Sequence, residues 1–372
     1  TVRSTINSVN SLVNYDSKNN YSVYLLNICG EWSEHESKFK EKNINFIDLT
    51  FKYFHLLPKK GKFLSRLSYI IIFIISFFPL VLFLKKEKPE YLIVHLITSL
   101  PIFLFNIINF KTKLILRISG YPKLNLFRKI FWKFSDKNIY KVTAPTNKTV
   151  KLIEENKIFS KNKTVYLPDP ILKVEDIQKH KNDNSNMNKN LSYSNSIISI
   201  GRLTKQKNFS FLIESFNILQ KKHKKLNLFI LGDGEEREML QDKINKLNLN
   251  NKAFLIGHQY NVFKYLKKAK LLVLTSLWED PGFVILEAGY MNKIVLSSDC
   301  PSGPNEILDD GKNGFLFKTN SIESFINAFD KLINSDENLI KLKKLGLKKK
   351  SREFTYFNHF KILNLILNNN KS

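Results

Sequence analysis

Cysteine is nearly absent: only Cys29 and Cys300 occur in 372 residues. They lie far apart, on stretches assigned below to different domains. A disulfide framework is therefore not expected, and a reducing cytoplasm is the natural setting. Acidic residues are scarce relative to basic ones, 33 against 59, which leaves a formal charge of +26. Such an excess suits nucleic acid, an anionic membrane surface or phosphorylated ligands. Here it forms no basic stripe interleaved with aromatics and comes with no zinc-ligand spacing, so no nucleic-acid partner is expected. Lysine is instead spread through surface segments such as KLKKLGLKKK at 341–350. No secretory signal opens the chain, which begins at Thr1 and not at Met. Also lacking is an apolar run of the roughly 20 residues that span a bilayer. The most hydrophobic stretch, YIIIFIISFFPLVLFL from Tyr69 to Leu84, has 16 residues with Pro79 inside. It reads as a helix buried against a sheet. It also suits membrane-surface attachment, helped by the flanking Lys59, Lys60, Lys62, Arg66, Lys85, Lys86 and Lys88.

What is present points to a globular chain. A hydrophobic share of 43% with 13% aromatics excludes a wholly disordered protein. The length suffices for two domains, each with its own core. Val2, Ile6, Val9 and Val13 recur at helical spacing in the opening TVRSTINSVNSLVN. An α/β domain usually begins with a strand, so the chain is expected to lack its first strand and loop.

Buried-strand patterns follow in YSVYLLNICG, NINFIDLT, EYLIVH, LILRISG, NIYKVTAPT and TVYLPDPI. Pro168 and Pro170 end this half, and the polar Asn/Lys/Ser tract from Lys173 to Ser194 reads as an exposed linker or surface insertion. The second half alternates regularly. SIISIG precedes a helix at 208–222, LNLFILG one at 235–247 and KAFLIG one at 262–268. LLVLTS and KIVLSS then each lead into a further helix start. Alternation of this kind predicts a parallel sheet covered on both faces, with ligands at the carboxyl ends of its strands.

The polar motifs fall at those ends. In GRLTKQKNF, Gly201 lets the backbone turn close to a ligand, while Arg202 and Lys207 can converge on a phosphate. Gly232 and Gly234, in LGDGEERE, read as a turn that leaves space for a nucleotide, since the neighbouring acids would repel phosphate. In SLWEDPGFVILEAGYM, Asp280 and Pro281 suit an N-cap and first helical residue. The helix start near Gly282 and Phe283 then offers a phosphate its orphan N–H groups and its positive dipole end. Glu279 before it and Glu287 within it accept hydrogen bonds only, which suits sugar hydroxyls.

The pattern Gly-Arg-x(4)-Lys-Asn, the Glu-x(7)-Glu of EDPGFVILE and the segment DCPSGPNEILDDGKNGFLF together resemble retaining, nucleotide-sugar-dependent glycosyltransferases of family 4. The bacterial members that build surface polysaccharides are the most similar in character. The likeness covers most of Ser196 to Leu332 and is looser in the first half, where it rests on EKPEYLIVH, LILRISGYP, VTAPT and VYLPDP.

The resemblance implies an α/β protein of GT-B fold, two Rossmann-like doubly wound domains facing across a cleft. Residues 1–170 would form the acceptor domain, 171–195 the linker or insertion, and 196–353 the nucleotide-sugar domain. Residues 354–372 would form a terminal helix crossing back to the first domain. It also implies site roles. Gly201, Arg202 and Lys207 would hold the donor diphosphate, and the Gly282 and Phe283 amides would approach the distal phosphate. Glu287 would bind the ribose and Glu279 the donor sugar. His95, at a strand end, would contact the transferred sugar or the acceptor. The family's Gly-rich loop follows its first strand, and Arg3 would sit near that missing loop, able to face the cleft.

No Asp-x-Asp motif occurs, so Arg202, Lys207 and a helix end, without a metal or other cofactor, are expected to stabilise the leaving diphosphate. The reaction expected is transfer of a hexose or N-acetylhexosamine from a nucleotide sugar, UDP-linked by preference, to a lipid-linked or growing surface glycan. It would take place at the inner face of the cell membrane, with the enzyme bound peripherally to an anionic surface. A nucleotide-sugar epimerase or a phosphorylase on the same fold, and an inactive truncated binding module, are the alternatives.

Overall fold

Each apolar run read as a strand above is a strand in the computed structural model of the chain. The structure describes all residues except 1, 18–20, 29, 31, 34–35, 41–43, 51–56, 58–61, 96–98, 119–121, 123, 184–186, 188–190, 280–281, 302 and 369–372. Cys29 is among those outside the described residues.

Two compact units divide the chain, Thr1–Pro170 with Tyr356–Ser372, and Ile171–Thr355. The first opens with α1 (Val2–Tyr15), β1 (Tyr24–Asn27), α2 (Glu36–Lys40), β2 (Asn45–Asp48), α3 (Lys62–Glu87) and β3 (Tyr91–Val94). It continues with α4 (Ser99–Ile107), β4 (Lys113–Arg117), α5 (Leu126–Ser135), β5 (Ile139–Ala144), α6 (Asn147–Glu155) and β6 (Thr164–Tyr166). The second unit begins with α7 (Val174–His180), β7 (Ser196–Ile200), α8 (Phe209–Lys222), β8 (Asn227–Leu231), α9 (Arg237–Lys246) and β9 (Ala253–Gly257). It then runs through α10 (Phe263–Lys268), β10 (Leu271–Leu274), α11 (Phe283–Tyr290), β11 (Ile294–Ser298) and α12 (Pro304–Ile307). After β12 (Phe315–Phe317), α13 (Ile322–Ile333) and α14 (Glu337–Arg352), the last helix, α15 (Tyr356–Asn368), belongs to the first unit.

The second unit is built on a parallel six-stranded sheet in the order β12-β11-β10-β7-β8-β9. Its strands are mostly apolar because both faces are covered. Ile197, Leu228, Ile230, Leu271, Val273 and Leu296 point to one buried cluster. Their chain neighbours Ile198, Phe229, Leu231, Leu272, Leu274 and Val295 point to the other. This alternation is the period-two geometry of a strand.

The tract expected as an exposed linker is part of this unit. It carries α7, and Ile177, Met187 and Tyr193 are buried in one cluster with Phe229 and Tyr265. Three apolar anchors dispersed among polar residues suffice to seat the segment without any visible periodicity.

The first unit pairs β3-β4-β5-β6 in one parallel sheet and β1-β2 in another. A cavity of about 520 Å³ is lined by both β1 (Leu25, Leu26) and β3 (Tyr91, Ile93), with His95 and Leu363 also on its wall. Helix α3 is longer than the apolar run that announced it. Its 26 residues pass through Pro79, and its segment Arg66–Glu87 is long and apolar enough to cross a membrane by length and composition. Leu80 and Leu84 on one side of it are core residues packed with Val94, Leu100 and Leu104.

α1 is amphipathic in an unexpected sense, because its polar face is buried as well. Ser4 donates to Asp169, Asn7 Nδ2 to the Pro170 carbonyl at 2.8 Å and Ser11 to the Tyr356 carbonyl at 2.6 Å. Ser8 meets His359 Nε2 at 2.8 Å, and His359 Nδ1 lies 2.7 Å from the Pro168 carbonyl. A carbonyl can only accept, so Nδ1 carries the proton and Nε2 accepts from Ser8.

Candidate functional site

The chain leaves β7 for β8 and β9 on one side, then returns to add β10, β11 and β12 on the other. The loops after β7 and β10 therefore diverge at a topological switch point, where α/β sheets bind ligands. Those two loops are the GRLTKQKN and SLWE motifs.

They are joined by hydrogen bonds. Thr275 Oγ1 donates to the carbonyls of Lys207 at 3.0 Å and Asn208 at 3.2 Å. Gln206 Nε2 donates to the Trp278 carbonyl at 2.9 Å, and the Leu277 N–H donates to the Gln206 carbonyl at 2.8 Å. Ser298, at the end of β11, donates Oγ to the Ser276 carbonyl at 2.7 Å.

The outcome is a buried ion pair between Lys207 and Glu279, whose side chains are 16% and 6% exposed. Ser276 Oγ donates to the same carboxylate oxygen, Oε1, that receives Lys207. Desolvating a carboxylate is costly unless it is paired and hydrogen-bonded, and here it is both. Among the described residues Oε2 has no partner, and the ammonium has further protons to donate. The pair thus retains both an acceptor and donors for a ligand.

The glycines act differently from their sequence reading. A Cβ on Gly201 would stand 3.2 Å from Cγ, Cδ and Cε of Lys207, so its bareness makes room for the lysine stem. A Cβ on Gly232 would lie 1.8 Å from the Gly201 carbonyl oxygen, and one on Gly234 2.5 Å from that of Leu203. The missing side chains of Gly232 and Gly234 thus let the 201–203 backbone come close.

Helix α11 begins at Phe283, with Gly282 as its N-cap at φ +92°. That backbone conformation, left-handed and strained for L side chains, is what requires glycine. Space does not require it, since a Cβ there would make ordinary contacts, 3.4 Å to Ile285 Cδ1 and 3.7 Å to Glu279 Cβ. Asp280 and Pro281, read as cap and first residue, lie outside the described residues. Glu287 is buried within α11, Phe283 is half-buried at its start, and Arg202 is exposed after Gly201. Cys300 is buried, and burial pushes its thiol up to about 11, which makes it inert.

His95 belongs to the other unit, following β3. Burial, then the neighbouring Arg117 guanidinium, pushes its pKa down to about 3, so the imidazole is neutral. Arg117 itself is 2% exposed, paired with Asp169 and donating to the Leu167 carbonyl at 3.3 Å. The Arg3 side chain lies outside the described residues.

Thr275, Ser276 and Gln206 were missed by sequence reasoning. A signal for the first two was available: small hydroxyl residues directly after a wholly apolar strand, LLVLTS, stand where loop carbonyls and a carboxylate need donors. Arg117 inside LILRISG and Asp169 inside PDP were also legible, since a lone charge in a buried strand needs a partner.

Residues 181–350 match the family model described as Glycosyl transferases group 1. An uncharacterized glycosyltransferase of Methanocaldococcus jannaschii is 36% identical over 246 residues, 60% of this chain and 59% of that protein. The chain thus spans less than two thirds of that relative's length. Among solved structures, a glycosyltransferase of Rickettsia africae superposes with a TM-score of 0.72 at 16% identity, covering 99% of this chain and 94% of that one. Anabaena HepE, crystallised with UDP and glucose, gives a TM-score of 0.68 at 13% identity, covering 98% and 96%. With its two units of parallel α/β structure, the chain has the GT-B fold.

Proposed function

We propose that the protein is a retaining glycosyltransferase of family 4 that moves a hexose or N-acetylhexosamine from a UDP-sugar to a lipid-linked or growing surface glycan. It works at the cytoplasmic face of the membrane. The observation that carries this reading is the Lys207–Glu279 pair at the β7/β10 switch point, with Gly282 and the start of α11 beside Glu279. A cation, an acceptor-only carboxylate and a positive helix end within one loop cluster match a diphosphate joined to a polyol. The match to the group 1 family model and the UDP held by Anabaena HepE support the same ligand class.

In this reading Arg202 and Lys207 neutralise the diphosphate, and the Gly282 and Phe283 amides approach its distal phosphate. Glu287 accepts from the ribose hydroxyls, and Oε2 of Glu279 from a hydroxyl of the donor sugar. The neutral imidazole of His95 both donates and accepts, as a contact to the transferred sugar or the acceptor requires. Charge on the departing UDP is stabilised by Arg202, Lys207 and the helix end, with no metal. The acceptor hydroxyl attacks the anomeric carbon from the face that UDP leaves. A phosphate oxygen of UDP takes the hydroxyl proton as the carbon–phosphate oxygen bond breaks. Glu279 is held through Oε1 by Lys207 and Ser276 and serves here as a hydroxyl-binding group.

A thermal-shift screen against UDP-, GDP- and ADP-sugars tests the donor, because specific binding raises Tm by mass action. A saturable rise with UDP-sugars is expected, and none with any nucleotide sugar overturns the reading. Proton NMR of the product tests the stereochemistry. Retention of the donor's anomeric configuration is expected, and a glycosyl group covalently attached to Glu279 would replace the same-face mechanism.

A further inference from the structure

Twelve of the twenty-two exposed large hydrophobic side chains among the described residues lie on just three helices, α3, α4 and α5. On α3, Leu67, Ile70, Ile74, Phe78 and Leu82 recur every three to four residues and so share one face, with exposures of 44%, 56%, 63%, 70% and 66%. On α5, Phe127, Ile130 and Phe134 do the same, at 79%, 61% and 66%, with Leu126 at 73% beside Phe127. Helix α4 joins the other two. Phe103 packs edge-on against Phe73 of α3 at 5.5 Å, and Asn106 Nδ2 donates to Ser135 Oγ of α5 at 2.7 Å. Phe103 and Ile107 are the exposed large apolar residues of α4. A soluble monomer rarely leaves so large an apolar surface in water.

Charge around this surface is mostly basic. Arg66, Lys85, Lys86, Lys88, Lys133 and Lys137 are exposed on α3 and α5 or just beyond their ends, against Glu87 within the three helices and Asp136 and Glu90 just beyond them. A second copy would bring one basic rim against another, because a two-fold contact joins identical patches. An anionic lipid surface complements both features, accepting the aromatic and aliphatic side chains below its headgroups and the lysines among them. Spanning does not fit, since Leu80 and Leu84 of α3 and Trp132 of α5 are built into the protein core on the opposite sides.

We infer that the exposed face of α3, α4 and α5 is the surface by which this protein inserts, monotopically, into an anionic bilayer. The inference deepens the peripheral-membrane part of the proposed function and rests on it. The acceptor consequence is direct: the unit to which that reading assigns the acceptor is the one seated on the membrane, so a lipid-linked acceptor reaches it without leaving the bilayer.

Flotation of the full chain with phosphatidylcholine vesicles containing phosphatidylglycerol, against pure phosphatidylcholine, tests this. Preference for the anionic vesicles is expected, together with at least a tenfold loss of binding in the Phe127→Glu/Ile130→Glu and Ile74→Glu/Phe78→Glu variants. The UDP thermal shift of the same variants reads the donor site separately and should stay as in the wild type. Phe127→Trp adds a conservative probe, whose emission, after subtraction of the wild-type spectrum, should shift to the blue when anionic vesicles are added. Unchanged flotation of both double variants, or no such shift in the Phe127→Trp variant, would overturn the inference. So would double variants that lose only self-association in sedimentation velocity.

Discussion

Glu279 and Glu287 stand eight residues apart and are 6% and 5% exposed, yet their environments differ. Glu279 is held by Lys207 and Ser276 at a loop, and Glu287 sits within α11. Assigning Glu287 to the ribose predicts that Glu287→Ala weakens UDP binding by about 1 to 3 kcal/mol, the cost of unpaired hydroxyl partners. Isothermal titration calorimetry checks this, and an unaltered Kd removes the assignment. The Lys207–Glu279 pair makes a second prediction. Lys207→Met strands a buried carboxylate and should destabilise the protein by roughly 1 to 3 kcal/mol in denaturant unfolding. Adding Glu279→Gln should recover much of that loss, because the uncompensated charge is gone, whereas additive losses would show the two side chains to be uncoupled. Gly282→Ala should cost about 1 to 2 kcal/mol through its left-handed backbone alone.

Among the elements, α1 shows how a pattern can be read correctly and still mislead. The stripe of Val2, Ile6, Val9 and Val13 announced a helix, and such a stripe ordinarily leaves the polar remainder to solvent. The serines and Asn7 on that remainder are instead buried against residues 168–170 and α15, where each has a partner from another part of the chain. His359 belongs to this contact. Burial, then the charge of Arg117, pushes its pKa down to about 3, against an ordinary value of 6.5. Below pH 6.5 the unfolded chain therefore binds a proton that the folded chain refuses, and stability must fall with pH between about 6.5 and 3. The slope for one such group is about 1.4 kcal/mol per pH unit. His359→Gln should flatten the decline of Tm between about pH 7 and 5 without abolishing it, because His95 is depressed in the same direction. An unchanged profile would mean that His359 is protonated in the fold.

At the scale of the molecule, the first unit is discontinuous, closed by residues from the far end of the chain. Truncation after Thr355 removes the partners of Ser8 and Ser11 and the residue that binds the Pro168 carbonyl. Such a variant should unfold in two separated transitions, the first unit at lower temperature and the second near its original Tm with its UDP shift retained. Coincident loss of both would show that the second unit depends on α15. Scanning calorimetry with and without UDP distinguishes these outcomes.

The alternation of apolar strands and helices was enough to predict parallel sheets, because burial on both faces of such a sheet writes a continuous apolar run that needs no tertiary knowledge to read. The loops at strand ends were legible for a related reason: glycine and charged residues directly after such runs have few other uses. Partnership was not legible. That Lys207 meets Glu279, that Gly232 exists for the Gly201 carbonyl, and that Lys173 to Ser194 is anchored by a few dispersed side chains depend on residues brought together from far along the chain. Sequence patterns report the burial of a residue relative to its own helix or strand. Which polar atoms meet across elements, and which apolar faces of α3 and α5 are left without a neighbour, follows only from how the elements pack.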